Sequence, residues 1–236
     1  MCDRVAHSLM LEGLRPNERI AITADNSAKY VALMLGAMRA GLTVVMIDSK
    51  LSKDKKDELI KDANCATIFD DGFIENDWDD FLDYTSTYGH EFSYEVPVTP
   101  DENMVAYNQF TTGSTGRHKV LMRTHANENW IVNAQQWAIP HKREVIAAKL
   151  HLAGGLAELV TVMNWGGTVV LLNTFTPKIY LDCITKYQAW AVHGVPAVHK
   201  LVMSAIKQYD IDVSSVREVR TSGAVSYTHL RAHETL

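Results

Sequence analysis

Phe110-Thr-Thr-Gly-Ser-Thr-Gly-Arg-His-Lys119 is the stretch on which the fold of this chain is decided. It gathers the hydroxyls of Thr112, Ser114 and Thr115, the glycines Gly113 and Gly116, and Lys119, behind the apolar, strand-like approach Met104-Val-Ala-Tyr107. Glycine lets backbone N–H groups come close to an anion, hydroxyls add donors, and lysine supplies a full positive charge. Together these are the means of holding a polyphosphate. A Walker A loop needs its lysine directly after the second glycine. Here Arg117 and His118 intervene, so the spacing excludes that loop. Taken alone, the segment also fits a surface turn rich in glycine and hydroxyls.

The spacing resembles the T-S-G-[ST]-T-G-x-P-K-G signature of the adenylate-forming enzymes: acyl-CoA synthetases, aryl-acid ligases, luciferase-like enzymes and peptide-synthetase adenylation domains. Other stretches resemble the same family, in the same order. They are Asn17-Glu-Arg-Ile-Ala-Ile22, Asn26-Ser27, Tyr30-Val31, Leu35 to Gly41, His151-Leu-Ala-Gly-Gly155, Trp165 to Leu171, Val192-His-Gly-Val-Pro-Ala197 and Val216 to Ala224. Two loop positions depart from the pattern. His118 stands at the usual proline and Val120 at the usual glycine, which removes a rigid turn residue and adds a β-branched one.

The resemblance implies an α/β fold, the layered αβα core of an adenylate-forming N-terminal domain with two α/β subdomains, truncated. The halves are expected at residues 1–100 and 101–224. The chain's own pattern agrees, since apolar strands alternate with helical segments, although another doubly wound nucleotide-binding fold would alternate in the same way. Strands are predicted at 19–23, 42–47, 66–69, 104–107, 168–172, 191–195 and 216–221. Helices are predicted at 27–40, 52–63, 124–137, 156–165, 177–187 and 196–209, with a short one near 77–84 inside an irregular acidic and aromatic connection.

Residues 225–236 break the resemblance after Ser222-Gly223-Ala224. They can be encoded by the transposon end and adapter of a common DNA-sequencing library, so they are expected to be adapter-derived, and His229 and His233 carry no functional weight. The resemblance places the family's magnesium-holding glutamate, ribose-binding aspartate and mobile C-terminal domain with its catalytic lysine beyond Ala224. Met1 falls within what resembles the family's first helix. The chain is therefore expected to be an N-terminal domain fragment that is inactive by itself.

Net charge is −5 and pI about 6.0 over 236 residues, which leaves no electrostatic footprint for nucleic acid. The lysines at 50, 53, 55, 56 and 61 alternate with acids, as on a solvated helix face. Three scattered cysteines without a C-x-x-C pattern suit reduced thiols and a cytoplasmic protein. No apolar run is long enough for a membrane span.

By the resemblance, Thr112, Gly113, Ser114, Thr115 and Gly116 wrap the β- and γ-phosphates of ATP, and Lys119 neutralises the leaving pyrophosphate. His151 lines the carboxylate pocket beside the reacting group. His193 and Gly194 border the acyl pocket, with the glycine leaving room for substrate, and Ser222, Gly223 and Ala224 pack against adenine. Residues 1–224 offer no metal-ligand spacing, and none is assigned as a metal ligand. The implied reaction joins ATP and a small-molecule carboxylic acid into an acyl-adenylate, with Mg2+ screening the phosphates and coenzyme A as acceptor. A carrier protein as acceptor, or a non-catalytic nucleotide-binding relative, is the alternative.

Overall fold

A computed structural model describes residues 1–83, 100–112, 118–134 and 142–221. The expected site residues Gly113 to Gly116, Ser222, Gly223 and Ala224, and the tail 225–236, lie outside the described residues. The chain forms two compact units, Met1–Ala134 and Gln135–Leu236.

In the first unit, α1 (Cys2–Leu11) is followed by β1 (Arg19–Thr23), α2 (Ala28–Arg39), β2 (Thr43–Met46), α3 (Lys53–Asp62) and β3 (Thr67–Asp70). A π-helical turn, Phe73–Asp77, then runs into α4 (Trp78–Leu82). After the connection come β4 (Val105–Thr112), β5 (His118–Thr124) and α5 (His125–Ala134). The sheet order is β3-β1-β2-β4-β5, parallel except for the last, antiparallel pair.

Every residue of β2 is buried, as a central parallel strand covered on both faces requires. Ser27 starts α2, its hydroxyl accepting from the Tyr30 N–H at 3.0 Å. Helix α3 buries only Leu59, so its alternating charges do form a solvated face. Leu59 joins Ala21, Val45, Ile47 and Ala63 in an apolar cluster against which Phe110 packs. Under the edge strand β3, Phe69, Phe73, Trp78 and Phe81 stack edge to face or tilted at 4.7–6.4 Å. Arg4 on α1 closes this end by donating to the Leu82 carbonyl at 3.0 and 2.6 Å.

The boundary differs from the expected one. Residues 101–134 belong with the first unit, because β4 pairs with β2 through Val44↔Tyr107, Val45↔Asn108 and Met46↔Gln109. A long connection in sequence need not separate units when the strand after it returns to the same sheet. Strand β5 is not among the predicted elements either. Its exposed Val120, Leu121 and Met122 lack the alternation that marks a half-buried strand.

The second unit contains β6 (Arg143–Ile146), α6 (Ala153–Asn164), β7 (Thr168–Leu171), α7 (Pro177–Tyr187), β8 (Ala191–Gly194), α8 (Pro196–Tyr209) and β9 (Glu218–Thr221). All its strands are parallel, in the order β7-β6-β8-β9. Val145, Leu172, Tyr180, Leu181, Ile184, Ala189, Val192, Val202 and Ala205 form its core. Thr176 caps α7 ahead of Pro177 at the first helical position, a pairing that fixes the helix start from local chemistry alone. Strand β6 is absent from the predicted set because Arg143-Glu144 dilutes its short apolar run. Among the described residues no helix is long and apolar enough to cross a membrane.

Helices α1 and α2 approach closely at Gly36 on α2, where an added Cβ would fall 2.5 Å from Val5 Cβ and Cγ1. Alanine improves helix propensity by about 1 kcal/mol, but overpacking costs about 1–3 kcal/mol. Gly36→Ala is expected to lower the urea midpoint, and an unchanged or higher midpoint would show that α1 and α2 do not pack this closely.

Candidate active site

The glycine-hydroxyl segment is the connection of an antiparallel hairpin. Phe110↔Val120, Thr111↔Lys119 and Thr112↔His118 pair up to its base. Lys119 is thereby held on β5, opposite Thr111, with an exposed side chain. Of Thr112 only the backbone is described, at the end of β4. Val120 occupies a paired strand position, where a β-branched residue is comfortable and glycine's freedom is not needed.

The base of the hairpin is fastened to α5. Glu128 accepts at one oxygen from Tyr107 Oη at 2.7 Å and from Arg123 Nε and Nη2 at 2.9 Å each. One carboxylate thus joins β4, β5 and α5. Burial, then the bond to Glu128, pushes the Tyr107 phenol well above its ordinary value and keeps it a donor. Thr124 and Asn127 cap α5 reciprocally, Thr124 Oγ1 accepting from the Asn127 N–H at 3.2 Å and Asn127 Oδ1 from the Thr124 N–H at 3.1 Å. Burial lowers the pKa of the neighbouring His125, which favours the neutral ring.

The remaining described candidates lie in the second unit. His151 sits half-buried in the turn between β6 and α6. His193 on β8 is buried, its side chain 4% exposed, with Nε2 4.0 Å from Glu158 Oε2. Burial lowers the His193 pKa. At Gly194 an added Cβ would lie 2.9 Å from Val198 Cγ1, so the start of α8 already requires a glycine there. Packing accounts for Gly194 without any substrate.

A charged cluster beside His193 was not among the residues predicted from sequence. Arg220 on β9 bonds Glu144 on β6 through Nη2 at 2.7 Å, Glu158 on α6 through Nη1, and Glu218 through Nε at 3.0 Å. The Glu144 and Glu158 side chains are 2% and 8% exposed. A signal did exist, since Glu144 interrupts a strand run and Glu158 sits within the apolar face Leu156-Ala-Glu-Leu-Val160. Burial, and then the nearby Glu158, raise the Glu144 pKa far above the carboxylate range. Among the described residues no group of three or more His, Cys, Asp or Glu side chains could hold a metal ion.

The sequence pattern of the family described as AMP-binding enzyme matches residues 1–232. This chain belongs to that family. Feruloyl-CoA synthase of Amycolatopsis sp is 27% identical to this chain over 238 residues, covering 94% of it and 47% of the relative. Acyl-CoA ligase sidI of Aspergillus fumigatus is 23% identical, with 94% and 45% covered. The chain thus spans about half the length of these curated relatives. The N-terminal domain of FACL13 from Mycobacterium tuberculosis superimposes with a TM-score of 0.84 at 16% identity, covering 97% of this chain and 62% of that one. O-succinylbenzoate coenzyme A synthetase (MenE) from Bacillus subtilis, in complex with AMP, gives 0.80 at 20% identity, with 98% and 61% covered. These likenesses establish the fold as that of adenylate-forming N-terminal domains.

The raised Glu144 pKa makes stability depend on pH. The folded state keeps a proton that the unfolded chain releases near the ordinary carboxylate value of 4.5. Stability from this proton is full below that value and falls as pH rises through neutrality, by at most about 1.4 kcal/mol per unit. Glu144→Gln, which cannot ionise, is expected to flatten the slope of unfolding free energy above pH 5. Parallel pH curves for the variant and the parent chain would contradict a buried, protonated Glu144.

Proposed function

We propose that this chain is the phosphate-binding portion of an AMP-forming acid–thiol ligase, which activates a carboxylic acid with ATP and passes the acyl group to coenzyme A. The observation that carries the proposal is the hairpin, which places Lys119 on a paired strand beside the glycine-hydroxyl segment. In the reaction a carboxylate oxygen attacks the α-phosphorus and the bond to the bridging oxygen of pyrophosphate breaks. Charge therefore accumulates on the departing pyrophosphate, where an ammonium group stabilises the transition state more than the ground state. Lys119 takes that part.

Backbone N–H groups and hydroxyls of Thr112 to Gly116 bind the β- and γ-phosphates. His151 lines the acid's pocket, with His193 and Gly194 behind it, and Ser222 to Ala224 receive the adenine. No general base is needed, because the carboxylate is already ionised at neutral pH. Magnesium, when bound, would screen the polyphosphate, and Lys119 and the N–H groups add to that neutralisation. Support for coenzyme A as acceptor comes from relatives named as a feruloyl-CoA synthase and an acyl-CoA ligase.

The test is acid-dependent exchange of pyrophosphate into ATP by the full-length parent protein over a panel of carboxylic acids, followed by thioester formation on adding coenzyme A. Lys119→Ala is expected to lower kcat/KM for exchange by about 100-fold, the scale for removing one charge-stabilising donor, with its thermal transition unchanged. ATP binding without exchange for any acid would overturn the proposal in favour of a non-catalytic nucleotide binder.

A further inference from the structure

Among the described residues, strand β9 is short and lies at the edge of its sheet, hydrogen-bonded to β8 alone. Such strands fray unless something else holds them. The register shows what does. Ile146↔His193↔Arg220 and Glu144↔Ala191↔Glu218 form two rows across β6, β8 and β9, so Glu144, His193, Glu218 and Arg220 share one face of the sheet. Helix α6 brings Glu158 to that face. The Arg220 fork reaches across β8 to Glu144 and up to Glu158. On the strand's open edge, the Arg220 carbonyl is 2.8 Å from His199 Nε2 on α8. A carbonyl only accepts, so that nitrogen carries the proton.

One residue is thus gripped from three elements besides its own. The elements around Arg220 adjoin segments that the proposed function assigns to the substrates. Helix α6 begins two residues after His151, and β8 ends in His193-Gly194. Strand β9 ends at Thr221, immediately before Ser222-Gly223-Ala224.

We propose that Arg220 is a positioning residue for adenylation, tying the end of β9, the strand that leads into Ser222-Gly223-Ala224, to β6, α6 and α8. The inference rests on the reading of the chain as an adenylating enzyme. The charge pattern suits a fixed joint. Two buried carboxylates face one guanidinium, and Glu144 Oε1 has no partner while it is a bare carboxylate. A proton there removes the excess charge and turns that oxygen into a donor towards Glu158, completing the network. The other groups facing Glu144 are Arg220 and Glu218 on β9, His193 on β8 and Tyr180 on α7. Tyr180 gives its own hydrogen to the His193 carbonyl at 3.3 Å.

The test uses the full-length parent protein. Arg220→Met is expected to raise the KM for ATP in pyrophosphate exchange about tenfold or more, and Arg220→Lys to recover part of that loss. Glu144→Gln, which keeps an acceptor for Arg220 and cannot ionise, is expected to move the alkaline limb of the exchange rate to higher pH. A folded Arg220→Met or Arg220→Lys protein with the wild-type KM for ATP would overturn the proposal and leave Arg220 a purely structural residue. If Arg220→Met does not fold, the Arg220→Lys KM and the Glu144→Gln alkaline limb decide, and an unmoved limb overturns it. If the wild-type protein shows no exchange with any acid, the functional reading falls first. AMP affinity by calorimetry then decides, with a tenfold loss in Arg220→Lys supporting the positioning role and equal affinities ending it.

Discussion

The parallel pairing of β2 with β4 governs the first unit. It brings residues 44–46 beside residues 107–109, across some sixty positions of chain, and sets the direction in which β4 leaves the sheet. A parallel partner needs a long crossover, whereas the antiparallel β5 needs only the short connection that carries the glycines and hydroxyls. Lys119 owes its place to this difference. A change in β2–β4 register by one residue would turn Tyr107 to the other face and take it from Glu128.

The two units use buried charge in related ways. In the first, a single carboxylate, Glu128, gathers a phenol and a guanidinium from two strands onto one helix. In the second, a single guanidinium, Arg220, gathers carboxylates from a strand and a helix. Removing one partner from such a group leaves an uncompensated buried charge, which costs more than the intact pair contributes. These networks are better understood as fixing geometry than as raising overall stability.

The helices with clear caps and the fully apolar strands were legible in the sequence, because their signals are local. Ser27, Ser52 and Thr176 each mark a helix start through one hydroxyl and one N–H group. The hairpin strand β5 was not, since Val120, Leu121 and Met122 show no alternation and the pairing with β4 is a tertiary fact. The return of β4 to the sheet of β1 and β2 is hidden for the same reason. At the site, Lys119 and the hairpin segment stood out through dense, unusual residue types, but the Arg220 cluster did not. Glu144, Glu158, Glu218 and Arg220 follow one another at intervals of 14, 60 and 2 positions, and it takes the register across β6, β8 and β9, with α6 laid over it, to bring them together.

The strand order β3-β1-β2-β4 also bears on how the chain is made. Strands β1, β2 and β3 are complete by Asp70, yet β2 stays an open edge until β4 arrives between it and β5. During vectorial synthesis the nascent chain therefore exposes the backbone of Val44, Val45 and Met46 for the time needed to translate some forty further codons. That interval, rather than the finished fold, is when the protein most needs protection from mispairing with its neighbours on the polysome.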